Sequence, residues 1–82
     1  MTLSEAIIKR INNLMNEKQV ENPYQLALRC GLDESVVRGV LNGRTIHPTV
    51  HTMFFIANGF DMTLSEFYND TLFNIDNIDE NW

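Results

Sequence analysis

Cysteine is nearly absent: Cys30 is alone among 82 residues, so no intramolecular disulfide framework can hold this chain together. Apolar runs are short. None approaches the roughly 20 residues that a membrane helix needs, and the first residues lack the pattern of a signal peptide. A cytoplasmic location is therefore expected, with no membrane partner. Sustained alternation of apolar and polar residues is missing too, which argues against strands. No glycine-rich loop is built to cradle phosphate, and no catalytic dyad is evident. Neither enzymatic activity nor a cofactor is expected. At 82 residues the chain makes one small domain. Its 44% hydrophobic content suffices for a modest helical core, with no room for an active site under lids.

Positive charge is scarce and one-sided. The six basic residues (Lys9, Arg10, Lys18, Arg29, Arg38 and Arg44) all lie before position 49, beside five acids. Residues 49–82 hold six acids and no Lys or Arg. The two parts therefore carry +1 and −6, which gives the net charge of −5. Non-specific DNA affinity comes from neutralised phosphates, so it should be poor.

What the chain does have is helix punctuation. Asn22 to Gly43 reads NPYQLALRCGLDESVVRGVLNG. Asn22 can cap a helix, Pro23 suits its first position, and Gln25 sits where a capping-box side chain reaches back. Leu26, Ala27 and Cys30 form a small apolar face, and Ala27 lets a second helix approach closely. Gly31 can leave the helix with φ > 0. Asp33 offers the next cap. Val36, Val37, Val40 and Leu41 recur with helical spacing, and Gly43 closes the second helix. Two short helices joined by a tight turn are the layout of a helix-turn-helix.

The remaining landmarks complete an all-α outline. Thr2-Leu3-Ser4-Glu5 matches a capping box for a first helix. Leu3, Ile7, Ile11, Leu14 and Met15 form its stripe, which fades near Gln19. Helices are expected over about 23–30 and 34–42, then a loop from Arg44 to His47. Pro48-Thr49 starts a fourth helix with apolar positions Val50, Met53, Phe54, Ile56 and Ala57, ending at Asn58-Gly59. Thr63-Leu64-Ser65-Glu66 is a second capping box, opening a short fifth helix that buries Leu64 and Phe67. Residues 70–82 mix Leu72, Phe73, Ile75, Ile78 and Trp82 with acids and asparagines. This tail either folds back on its own domain or contacts a second subunit.

In order, the LA pair, Gly31, Asn42-Gly43-Arg44, Pro48-Thr49, Ile56-Ala57 with Gly59, and Leu64-Ser65-Glu66-Phe67 resemble the Cro/repressor-type (Xre) helix-turn-helix family. The resemblance covers roughly residues 4–69. It implies a compact five-helix, lambda-repressor-like DNA-binding domain over residues 1–69, followed by the acidic and apolar tail 70–82. It also implies a sequence-specific regulator of transcription, a repressor binding a palindromic operator as a homodimer.

The second helix of such a motif enters the major groove. Its exposed residues here would be Glu34, Ser35, Val36 and Arg38. By the resemblance, base readers map to Glu34, Ser35 and Gly39. Glutamate can accept from cytosine N4, Val36 can meet a thymine methyl, and Arg38 can take guanine or phosphate. Glu34 can equally serve the helix dipole alone. Gly39 has no side chain to read with: either the backbone approaches DNA more closely there or the contact is missing. Phosphate contacts are expected from Asn22, Tyr24, Asn42, Arg44 and Thr45. Pro23 stands where the family often has a phosphate-holding glutamine; Tyr24 can substitute through its hydroxyl, or pack on the first helix. His47 and His51 have i, i+4 spacing, but Pro48 between them speaks against a metal site. Cys30 reads as a core residue. One ring of Phe54-Phe55 is expected in the core and the other at a subunit contact. The alternative function is a protein-interaction module using the acidic half, such as the antitoxin partner of a toxin.

Overall fold

A computed structural model describes residues 1–79 of the chain. Five α-helices follow one another: α1 (Leu3–Glu17), α2 (Pro23–Cys30), α3 (Glu34–Leu41), α4 (Val50–Gly59) and α5 (Leu64–Tyr68). Two short 3-10 turns, Thr71–Phe73 and Ile75–Asn77, come after them. There is no strand among the described residues, and the whole is a small all-α bundle.

Local chemistry sets the helix starts. In α1, Thr2 Oγ1 accepts from the Glu5 N–H at 3.1 Å, and Glu5 Oε1 accepts from the Thr2 N–H at 2.8 Å. The same reciprocal pair joins Thr63 and Glu66 at α5. Asn22 Oδ1 caps α2 through the Gln25 N–H, and Thr49 caps α4 through the Thr52 N–H. Gln25 departs from the expected box by one residue: its side chain accepts from the Glu21 N–H rather than from Asn22. Asp33 occupies the cap position of α3 but makes no side-chain cap bond. Its backbone carbonyl accepts from Val36 and Val37 instead. Gly31 takes φ +70° and turns the chain from α2 toward α3. Gln19 and Asp61 also adopt positive φ, ending α1 and α4 without a glycine in the turn.

The core gathers one face of each helix. Ile7, Ile11 and Leu14 of α1, Leu26, Ala27 and Cys30 of α2, and Val37 and Val40 of α3 are buried with Met53, Ile56 and Ala57 of α4. Phe60 and Phe67 are its largest wholly buried side chains. Three expectations need correction. Leu3 stays exposed at the helix start, and so do Val50 and Phe54 on the outer side of α4. Neither ring of the Phe54-Phe55 pair joins the buried core. A ten-residue helix with apolar residues all round cannot point every one of them at a single bundle.

The tail segment up to residue 79 lies on its own domain. Arg10 Nε–H donates to the Phe67 carbonyl at 2.7 Å, while its Nη atoms reach the Glu66 carbonyl and the Asp70 carboxylate. The guanidinium also lies 5.7 Å from the Phe67 ring centroid. Phe73 packs against Phe67 and Tyr68. The Asp79 N–H donates to the Met1 carbonyl at 2.7 Å, and the Met1 amino group reaches Asp79 Oδ2 at 3.1 Å. The tail thus meets the start of α1. The contact expected of Trp82 lies outside the described residues.

Candidate nucleic-acid interface

The candidate surface is built from α2, the turn 31–33, α3 and the loop after it. Leu26, Ala27 and Cys30 seat α2 in the core, and Val37 and Val40 seat α3. Both buried residues of α3 lie on its inner side, with Leu41 packed beside them, so the opposite face turns outward. Ser35, Val36 and Arg38 are accordingly exposed, and Glu34 is half-buried.

Glu34 and Arg38 are bonded to each other. The Arg38 Nε–H donates to Glu34 Oε2 across one helical turn. Sequence reasoning treated these two residues separately, although an acid followed four positions later by a base is a readable signal for such a pair. Arg38 also lines a shallow hollow of about 180 Å³ with Pro23, Leu41 and Asn42. That hollow brings the start of α2 beside the second turn of α3.

Gly39 is a packing contact. A Cβ there would stand 2.8 Å from Thr45 Oγ1. The Thr45 N–H donates to the Gly39 carbonyl at 2.9 Å. The missing side chain therefore lets the loop after α3 lie against the helix, and this side of Gly39 is covered by Thr45.

The loop is fixed by short-range bonds. Asn42 Oδ1 accepts from the Arg44 N–H at 2.9 Å, an Asx-type turn, and Gly43 supplies φ +78°. These bonds hold Arg44 and Thr45 on the outside, both exposed. Among the described residues, no carboxylate lies within ion-pair distance of the Arg44 guanidinium. Asn22 uses Oδ1 for its cap, which leaves its amide N–H groups outward. Tyr24 is 54% exposed and is not packed into the core. Since Pro23 has no N–H and the Gln25 and Leu26 amides bond Asn22, the Tyr24 N–H is the first-turn donor of α2 that the cap leaves over.

The other arginines are not part of this surface. Arg10 holds the α5 end, as above. Arg29 Nε–H donates to the Gly59 carbonyl at 2.7 Å, and its Nη2 lies 3.5 Å from Asp61. It thus satisfies a carbonyl at the C-terminal end of α4, where a cation also suits the helix dipole. Of the four arginines, Arg44 alone is both exposed and without a described acidic partner.

The remaining reactive side chains do not converge. The His51 ring lies 5.2 Å from the Phe55 ring, and no group of three His, Cys, Asp or Glu side chains gathers among the described residues. Cys30 is buried, and burial pushes its thiol up to about 11. Its Sγ sits 3.9 Å from the Ile56 carbonyl. None of the described helices is long and apolar enough to cross a membrane. Compared with known families, characterised proteins and solved structures, the chain matches none of them.

Proposed function

We propose that this chain is a sequence-specific DNA-binding regulator of transcription, a repressor that binds a palindromic operator as a homodimer in the cytoplasm. The observation that carries this reading is the exposed row of Ser35, Val36 and Arg38 on α3, set beside the exposed loop of Arg44 and Thr45. In a helix-turn-helix, that row enters the major groove while the loop lies along the backbone. Asn22 and Tyr24 at the start of α2 would take a further phosphate, and Asn42 would orient Arg44 toward one. Glu34 stands next to this row through its bond to Arg38.

One subunit offers few contacts, so a pair is needed. Two half-sites one helical turn apart, about 34 Å, double the contacts. The outer side of α4 supplies a face for pairing. Val50 is 72% exposed and Phe54 49%, one turn apart on a helix with no charged residue. A subunit measuring 33 × 23 × 21 Å lets two copies sit side by side at that spacing.

The second reading, a protein-interaction module such as an antitoxin, draws on charge. Arg10 and Arg29 are engaged within the domain, and Arg38 is neutralised by Glu34. Few cations are left for phosphate, while the −5 net charge suits a basic protein partner. Selection of bound sequences from a random duplex pool at two salt concentrations separates the readings. An enriched, roughly palindromic site with salt-dependent affinity is the expected result. The absence of both overturns the DNA reading in favour of the protein partner.

A further inference from the structure

We infer that Glu34 and Arg38 act on DNA as one unit, with Arg38 docking on a guanine and Glu34 serving as its positioning residue. This inference rests on the DNA-binding reading above.

The guanidinium is planar and carries five N–H donors. Its Nε–H is committed to Glu34 Oε2. That bond sets the plane of the group and leaves the four donors on Nη1 and Nη2. Two parallel donors at the end of the fork match the O6 and N7 acceptors on the major-groove edge of guanine. Glu34 lies one turn nearer the start of α3, so it holds Arg38 toward the end of the helix that enters the groove.

Charge favours a base over a phosphate for this pair. A bonded Glu–Arg pair has no net charge, so placing it on the backbone releases no counterion. Glu34 would also lie close to the phosphate and repel it. A hydrogen bond to a base edge needs no net charge. The neighbouring side chains do not compete for the role. Ser35 is a short, undiscriminating donor and acceptor, Val36 offers only methyl contact, and the site of Gly39 is covered by Thr45. The phosphate role falls to Arg44, which has no described acidic partner.

The test is selection from a random duplex pool with the wild-type chain, Glu34→Gln, Arg38→Ala and the double variant, with helicity and melting temperature measured for each. The wild-type site should contain a guanine preferred roughly 5- to 150-fold at one position of each half-site. Arg38→Ala should abolish that preference, and Glu34→Gln should weaken it at the same base pair. The double variant should look like Arg38→Ala alone, because the two residues form one reading unit. A surface ion pair of merely structural value would change melting and leave base preference in place. Glu34→Gln shifting the preference at a different base pair overturns the inference and makes Glu34 an independent reader. A wild-type site with no guanine lost in Arg38→Ala overturns it as well. No enriched site for the wild type removes the DNA reading itself, and with it the reading role of the pair.

Discussion

The same substitution, glycine to alanine, should be costly at one helix of this domain and nearly neutral at another. At Gly59, the last residue of α4, an added Cβ would stand 2.5 Å from Cys30 Sγ, 3.3 Å from the Cys30 backbone nitrogen and 3.4 Å from the Arg29 carbonyl carbon. Two of those atoms are backbone, and Cys30 is held in the core. The ends of α2 and α4 must move apart to accept the methyl group. Overpacking of this kind costs about 1–3 kcal/mol. At Gly39 the nearest atom is Thr45 Oγ1 at 2.8 Å, with Thr45 Cβ already 3.9 Å away. Thr45 is exposed and can rotate, at a cost of order 0.5–1.5 kcal/mol. Alanine in the middle of α3 gains about 1 kcal/mol in helix propensity. The two terms nearly cancel. Urea unfolding with a thermal melt reads both. Gly59→Ala should lose about 1–3 kcal/mol, a fall of roughly 4–8 °C per kcal/mol for a domain this size. Gly39→Ala should stay within about 1 kcal/mol of the wild type. Cys30→Ala should recover part of the Gly59→Ala loss, giving a non-additive cycle. A Gly59→Ala variant as stable as the wild type, or strict additivity with Cys30→Ala, would refute the close approach of α2 and α4.

Arg44→Ala should weaken binding to every duplex alike and reduce the salt slope by about 0.9 for each phosphate lost; titration at several salt concentrations checks this, and an unchanged slope removes Arg44 from the backbone. Glu5 and Glu66 sit below the ordinary carboxyl value of 4.5, first because the Thr2 and Thr63 backbone N–H groups donate to them. Their stabilisation is present above that ordinary value and lost as pH falls through the lower folded one. Urea melts between about pH 6 and pH 3 should show this acid loss, flattened in the Glu5→Gln/Glu66→Gln variant; equal acid limbs would contradict it. Cys30 should resist alkylation at pH 8 until denaturant opens the core, since burial raises its thiol to about 11; rapid labelling of the native chain would count against its burial. Val50→Glu/Phe54→Glu should yield a monomer by light scattering with little loss in melting temperature, because both side chains are outside the core; a persisting dimer would place the subunit contact elsewhere.

Much of the candidate surface is legible in the sequence. The Asn22 cap, the Gly31 turn and the exposed Ser35, Val36 and Arg38 follow from spacing against Val37 and Val40. The Asx turn from Asn42 to Arg44 and the cover of Thr45 over Gly39 were not foreseen. The first is a local bond with a familiar residue type, so a closer reading of Asn-Gly could have found it. The second joins positions six apart across a change of direction, and no local pattern announces it.

The sequence by itself determined where four of the five α-helices begin. Thr2 with Glu5, Asn22 with Gln25, Thr49 with Thr52 and Thr63 with Glu66 interact over three residues, and such bonds need no tertiary partner. Only the tertiary structure decided which cations remain for a ligand. Arg10 bonds a carbonyl 57 residues away and Arg29 one 30 residues away. Their charge is visible in the sequence, but their direction depends on which helix end arrives beside them. The apolar residues of α4 divide for the same reason. A helix with apolar side chains on every side has no preferred face of its own, so packing against α2 and α5 selects Met53, Ile56 and Ala57 for the core and leaves Val50 and Phe54 outside.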